Sequence, residues 1–426
     1  MKTYDVVVVG GGWAGCSAAL TAAIQGASVI LCERTDMLLG AGLSGGIMRN
    51  NGRWTAAEEM LAMGGGGGRL LALCDEHARH RNITFPGHQN ASLYDPITLE
   101  PAVKRFINSL GVTVRLCERI VDVTRKADYV TELTTHQNER IRAKAVVDAT
   151  GSAGPMGNCL RHGGGCALCL YRCPAFGPRV SIAGRCGIPE LAAAKSTGRL
   201  GALSGSCKLH RDSLHPDLAR QLRQEGVVKL KLEPALASMS KLQRKACQQY
   251  ALDDFASHLI LLDTGDAKLM SPYFELESLR SIAGLENAFF TDPKAGGKSN
   301  SVRFMSMVAH DYTLRVSGLI NLFCAGEKAG VLVGHTEAMV TGTLAGYNAS
   351  LHASEKEATT IPRTLATGDY VAYTTEQFGT PYGQRESFTF AGSVFFRRML
   401  EKGLYTTDKR AIRTRVMAAE AMKIFG

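Results

Sequence analysis

The chain has 426 residues, of which 45% are hydrophobic and 21% charged, and 49 basic against 39 acidic residues give a formal net charge of +10. This is the composition of an ordinary globular protein with one large interrupted domain or two to three domains, and the basic surplus admits nucleic acid or an anionic cofactor without choosing between them. No apolar run approaches the roughly eighteen residues of a membrane span, and the start MKTYDVVVVGGG is not a signal peptide, so a cytoplasmic address is expected and the twelve cysteines are not read as a disulfide framework.

In chain order, Tyr4–Val9 is a β-branched run of the kind that forms a fully buried parallel strand. It enters the turn Gly10-Gly11-Gly12-Trp13-Ala14-Gly15, followed by a small-residue helix over 16–26 and a second strand over 27–32 that ends in Glu33 and Arg34. A strand before GxGxxG, a helix after it and an acidic residue about 20 positions on make a dinucleotide-binding unit. Gly10 allows the tight turn, Gly12 lets the backbone approach a pyrophosphate, Gly15 lets helix and strand pack, and Glu33 accepts from a ribose hydroxyl. The five glycines Gly64–Gly68 separate helical patterns over 56–63 and 70–81. Since glycine costs about 1 kcal/mol in a helix interior, they are expected to form a flexible hinge.

Strands over 112–117, 119–123 and 139–142 follow, with Val121 placed among the cofactor contacts. Ala145-Val146-Val147-Asp148-Ala149-Thr150-Gly151 is then an apolar strand ending in D-A-T-G, which resembles the second nucleotide-contacting strand of two-dinucleotide-fold flavoproteins. A third signal is the strand Leu322-Phe323-Cys324 with the turn Ala325-Gly326-Glu327. Gly334-His335-Thr336-Glu337-Ala338 then opens a small-residue helix over 339–351, whose N-terminal N–H groups suit the pyrimidine oxygens of a flavin. Three distant segments meeting on one long cofactor point to FAD rather than NAD. His335 is read either as a general acid or, in preference, as a structural or FAD-bonding histidine, and no catalytic residue is assigned.

Between the second and third signals lies a cysteine-rich segment, GNCLRHGGGCALCLYRCP at 157–174. Cys166, Cys169, Cys173 and Pro174 reproduce the end of a bacterial ferredoxin run, with Gly163 where the run would begin. Cys159, Cys186, Cys207 or His162 would complete the ligand set. The preferred reading is an Fe–S cluster, or Zn, held by Cys159, Cys166, Cys169 and Cys173. A redox pair such as Cys169 with Cys173 is the second reading, and core cysteines the third. Cys32, Cys117 and Cys324 lie in apolar runs and are expected to be buried and inert. Residues 160–290 lack the dinucleotide pattern. Helical spacing is visible at 218–228 and 242–258. Basic residues gather at Lys229, Lys231, Lys241, Arg244 and Lys245, and again at Arg397, Arg398, Lys402, Lys409, Arg410, Arg413 and Arg415; solvated helix faces are preferred over an RNA-facing surface.

With these residues in view, GGGWAGCSAA resembles the front of the GidA (MnmG) flavoproteins. Gly284–Phe290, Asn321–Gly326 and the G-H-T-E-A…G-T-L-A-G-Y-N-A run ending at Ala349 are similar to the back of GidA and of its folate-dependent relative TrmFO. The resemblance implies that the loop over 40–47, with Leu43, Ser44 and Gly45, contacts flavin and pyrophosphate. In the tRNA-modifying members that loop carries a cysteine, whereas here it reads GAGLSGGI, and those enzymes continue into a long helical tRNA-binding domain.

The expected fold is α/β: a doubly wound FAD-binding domain with an inserted α+β domain and a short helical C-terminal tail. The expected divisions are 1–158 and 285–355 for the FAD domain, 159–284 for the inserted substrate domain and 356–426 for the tail. The expected function is that of a FAD-dependent oxidoreductase carrying electrons between a donor, NAD(P)H or a ferredoxin-like protein, and a substrate, small molecule or RNA, that the sequence does not identify. Flavin-dependent modification of an RNA uridine is one alternative. A non-catalytic electron-transfer or RNA-binding flavoprotein is the other. No membrane partner is expected, and a homo-oligomer is left open, since the sequence does not fix the oligomeric state.

Overall fold

The computed structural model describes residues 2–151, 176–194, 202–203, 207–243, 245, 247–271, 273–291, 302–303 and 305–426. Its central sheet is built from β1 (Thr3–Val9), β2 (Val29–Cys32), β3 (Thr113–Arg115), β4 (Ile120–Lys126), β5 (Tyr129–Thr135), β6 (Arg140–Asp148) and β7 (Leu322–Cys324). The spatial order is β3-β2-β1-β6-β5-β4, with β7 beside the C-terminal half of β6. β1, β2, β3, β6 and β7 run parallel, and β4 and β5 join as an antiparallel hairpin. Val6–Val9 and Val29–Cys32 are buried on both faces, as expected of parallel strands covered by helices.

Register decides where function sits. Cys32 pairs with Val9, Val9 with Asp148, and Asp148 with Cys324, so four parallel strands end in one row. The residues beyond that row stay stitched together: Gly10 N–H donates to Cys32 O at 2.8 Å, Ala149 N–H to Val9 O at 2.9 Å, and Ala325 N–H to Asp148 O at 3.1 Å. The carboxyl ends of such strands are where open α/β sheets place ligands.

Two helices, α1 (Trp13–Ile24) and α4 (His335–Ala353), pack on this sheet, and α2 (Gly52–Met63) and α3 (Gly65–Glu76) pack on them. The glycine run is therefore not a hinge. Gly65–Gly68 form the first turn of α3, because a Cβ on Gly66 would stand 2.2 Å from Ser17 O and one on Gly67 would stand 2.6 Å from Thr343 Oγ1. Close helix packing requires the glycines and offsets their poor helix propensity. Two orphan N–H groups at that N-terminus are capped from other helices: Gly66 N–H donates to Thr21 Oγ1 at 2.8 Å and Gly67 N–H to Thr343 Oγ1 at 2.9 Å. α3 also ends earlier than its pattern predicted, and Ala78–Phe85 becomes a strand paired with His88–Tyr94.

A second, antiparallel sheet is ordered Lys208–Leu209, Asp266–Leu269, His258–Thr264, Val227–Lys231. Helix Pro216–Glu225 packs on it through Leu218 and Leu222 against Leu261 and Leu269. The helical spacing over 242–258 is realised only in short pieces, the helices Met239–Gln243 and Asp253–Ser257 and the single turn Gln248–Tyr250, before His258–Thr264. A further cluster of Ile47, Phe85, Leu93, Tyr250, Ile260, Leu262 and Met270 joins this sheet to the Ala78–Tyr94 hairpin and draws Tyr250 and Met270 toward the strand-end row.

The C-terminal segment is helical over Ala366–Gln377, Ser393–Glu401 and Lys409–Ala418. It belongs to the main core, where Tyr370, Phe388, Phe390, Phe395 and Phe425 are buried with α1 and α4. Several of its cations are engaged: Arg398 and Lys402 pair with Asp369, Arg415 with Glu59 and Lys409 with Glu58. Cys32 and Cys324 are buried as expected, but Cys117 is exposed, in a left-handed turn at φ 56°. No helix among the described residues is long and apolar enough to cross a membrane.

Candidate functional site

A cavity of about 320 Å³ opens over the row of strand ends. Of the residues singled out from sequence, Gly10, Gly12, Trp13, Ala14, Glu33, Arg34, Leu43, Ser44, Gly45, Ala149, Thr150, Gly151, Gly326, Glu327, His335 and Ala338 line it. The three distant segments thus share one cavity. Gly15, Val121, Thr336 and Glu337 do not line it. Gly15 lies behind the turn, where a Cβ would stand 1.8 Å from Gly10 O. Along β4 it is Ile120, not Val121, that faces inward. Thr336 and Glu337 are fully buried behind the start of α4.

The turn has the shape a pyrophosphate needs. Gly10 adopts φ +101°, and a Cβ there would collide with Ala149 O at 2.3 Å, so only glycine brings β1 this close to the D-A-T-G strand. A Cβ on Gly12 would meet nothing within 4 Å. Gly12 is also the N-cap of α1, which has no side-chain cap and no acidic residue in its first turn. The cradle therefore offers open space, unpaired N–H groups and the positive end of a helix to an anion. The indole of Trp13 lies against Gly42, Tyr94 and His335, and its buried Nε1 is a donor without a partner among the described residues. Glu33 does more than was read into it: its carboxylate accepts from Gly11 N–H at 2.6 Å and from Thr35 N–H at 2.8 Å, which fixes the turn while its remaining lone pairs stay available to a sugar hydroxyl.

The loop over 40–45 crosses the cavity between the turn and α4. His335 Nε2 donates to Gly42 O at 2.6 Å, and Tyr94 O–H donates to Leu43 O at 2.9 Å. Burial, aided by the Arg53 guanidinium, pushes the His335 imidazole down to about 3. Its Nε2 is committed to the loop, while the buried Nδ1 has no partner among the described residues. Glu337, expected at the cofactor, is held elsewhere. It pairs with Arg53 at 3.1 Å and accepts from Phe390 N–H at 2.9 Å and Thr389 Oγ1 at 2.7 Å, tying α2, α4 and the C-terminal segment together.

Several lining residues went unread in the sequence: Arg53, Lys245, Cys247, Tyr250, Lys268 and Met270. Lys245 was counted with a basic surface cluster, yet it is 3% exposed, with Nζ donating to Met270 O at 3.0 Å. Lys268 is 5% exposed and donates to Ser44 O at 3.0 Å and Gly45 O at 2.6 Å. Burial lowers the two ammonium groups, Lys245 to about 8 and Lys268 to about 7; for Lys268 the neighbouring Lys208 and Lys245 charges add to the effect. One signal was available: a lysine in the hydrophobic strand sequence D-A-K-L, where alternation turns it inward.

The four expected cluster ligands, Cys159, Cys166, Cys169 and Cys173, lie outside the described residues, as does His162. The other two candidates, Cys186 and Cys207, are buried thiols, and burial pushes Cys186 up to about 11. Among the described residues no group of three or more His, Cys, Asp or Glu side chains is gathered to hold a metal ion.

Comparison with known proteins returns two family models. One described as FAD dependent oxidoreductase matches residues 5–156, and one described as Glucose inhibited division protein A matches residues 240–357. The tRNA uridine 5-carboxymethylaminomethyl modification enzyme MnmG of a Nitratiruptor species is 30% identical over 139 residues, which is 32% of this chain and 21% of that protein. MnmG of Dichelobacter nodosus is 37% identical over 83 residues, 20% of this chain and 12% of that protein. The aligned stretches thus span about a fifth or less of those relatives. Among solved structures, Aquifex aeolicus GidA superposes over 98% of this chain and 76% of its own, with a TM-score of 0.66 at 17% identity. A second crystal form gives 0.64 at 16% identity, over 98% and 79%. These structures share the fold.

Proposed function

The chain is a GidA-like FAD flavoprotein, and on that premise we propose that it is an oxidoreductase that binds FAD in the strand-end cavity and passes electrons between a donor and a substrate held at its far end. The observation that carries this reading is the meeting of the Gly10–Gly12 turn, the Ala149–Gly151 segment and the start of α4 on one cavity, with an uncapped helix N-terminus at the turn. Under this reading Gly12 and the α1 N–H groups take the pyrophosphate, Glu33 takes a ribose hydroxyl, and Leu43–Gly45 with Gly326, Glu327, His335 and Ala338 surround the ring system. The flavin supplies the electron-transfer chemistry, and the protein supplies orientation and electrostatics. His335 and Tyr94 hold the loop against the ring site, and Tyr250 and Met270, clustered with Ile260 and Leu262 of the second sheet, shield it from water.

The test is a visible spectrum with flavin quantitation, then anaerobic mixing with NADH, NADPH or reduced ferredoxin. Gly12→Val separates binding from folding. Its backbone, φ −69° and ψ −176°, is open to any residue and its Cβ meets no atom, so the variant should fold and lose most of its FAD. Full flavin occupancy in Gly12→Val would overturn the assignment.

A second reading is uridine modification in RNA, favoured by the curated relatives and by the net charge of +10. RNA that copurifies with the protein and dissociates steeply with salt would select it. An Fe–S or thiol relay through Cys159, Cys166, Cys169 and Cys173 rests on thiol spacing alone. Iron and zinc analysis of anaerobically purified protein tests it, with a near-stoichiometric metal expected and metal-free, fully active protein overturning it.

A further inference from the structure

Beyond the flavin reading, on which this inference rests for its functional meaning, the wall made by the second sheet carries an unusual pair of cations. Lys268 and Met270 are two positions apart at the end of the strand Asp266–Leu269, both line the cavity, and Lys245 reaches the backbone of that same Met270. One ammonium group thus belongs to this strand, and the other, from a separate segment, reaches the backbone at its end. Each is at least nine-tenths buried.

Lys268 has three ammonium protons and gives two of them to the Ser44 and Gly45 carbonyls. Among the described residues it forms no ion pair, and the like charges of Lys208 and Lys245 act against its own. The same cavity shows how a purely structural cation is treated, since Arg53 is matched at once by Glu337. A buried charge is costly unless an anion or a full hydrogen-bond set answers it. Tyr250 completes the place, with Lys245 Nζ 4.9 Å from its ring centre.

We propose that Lys268 and Lys245 form an anion subsite in the flavin cavity, which receives a carboxylate or phosphate group of a small substrate and holds the rest of that substrate between Tyr250 and the Ser44–Gly45 loop. The carbonyls of Ser44 and Gly45 aim the Lys268 ammonium, and the remaining proton is the one offered to the ligand. Because the loop that Lys268 grips is also held by His335, an anion at this subsite is felt by whatever lies along the loop.

The test uses the flavin-loaded full chain at constant ionic strength and reads binding of malonate and of inorganic phosphate, with chloride as control. Isothermal calorimetry measures the anion directly, and the visible flavin band reports its nearness to the ring. Saturable binding of one or both probes is expected, malonate alone identifying a carboxylate and phosphate alone a phosphate ester. Lys268→Met should weaken binding about tenfold or more, the loss of one charge-assisted hydrogen bond, while Lys268→Arg recovers part of it. Lys245→Met should weaken it comparably. Chloride acting as well as either probe, no calorimetric binding by the parent protein, or unchanged affinity in Lys268→Met that retains its flavin would each overturn the subsite. Protein that carries no FAD yet binds the probes, and loses them in Lys268→Met, would instead fail the flavin reading and leave the anion site standing.

Discussion

Arg53 and Lys268 are two buried cations on the wall of one cavity, and the structure treats them in opposite ways. Arg53 donates to the Glu337 carboxylate, to Asn50 Oδ1, to Val333 O and to Thr389 Oγ1, so its charge and donors are answered within the protein. Among the described residues Lys268 meets only carbonyl oxygens, and the charges near it are other lysines. A charge answered on all sides holds elements together. A charge left with like neighbours marks a place shaped for something else to bind. Arg53 anchors α2 to α4 and to Thr389, whereas Lys268 faces the open volume beside the Ser44–Gly45 loop.

The largest effect that sharpens this contrast is expected from Arg53→Met. Removing one partner of a fully buried pair leaves Glu337 uncompensated and should cost about 3–5 kcal/mol, read as a fall in denaturant midpoint. Lys268→Met should do the reverse and leave stability at neutral pH unchanged or raised, since no carboxylate loses a partner. A comparable loss in both variants would erase the distinction.

The next effect is in pH dependence. The Lys268 ammonium is lowered from 10.5 to about 7 by burial and by Lys208 and Lys245. Between those two values the unfolded chain holds a proton that the folded chain lacks, so this group makes stability increase as pH rises from about 7 toward 10.5. Its slope contribution approaches about 1.4 kcal/mol per pH unit in the middle of that window and should vanish in Lys268→Met. An unchanged slope would show that the ammonium is not depressed in the fold.

The smallest expected effect concerns the contact between α3 and α4. Thr343→Val removes the hydroxyl that caps Gly67 N–H and should cost about 1 kcal/mol, a shift of a few degrees at most in thermal midpoint. Flavin content should not change, because Thr343 does not line the cavity.

The residues most legible in the sequence were those whose role is local. Val6–Val9, the Gly10–Gly15 turn and the Asp148–Gly151 strand end announce themselves because strand, turn and helix chemistry are written within a dozen neighbouring positions. The glycine run misled for a related reason. Helix propensity argues against Gly65–Gly68 in a helix, and only the proximity of Ser17 and Thr343 reverses the argument. Glu337 misled as well, because a carboxylate at the start of a helix looks the same in sequence whether it faces a cofactor or an arginine 284 positions away.

The sequence by itself determined the shape of the turn at the front of this chain, since a tight turn, an uncapped helix and a buried parallel strand are consequences of adjacent residues. Tertiary structure alone decided which charges meet. Lys268 and Ser44 lie 224 positions apart, and neither carries a local signal of the other. Backbone geometry is short-range and can be read along the chain, whereas the cost of burying a charge depends on everything that surrounds it in space.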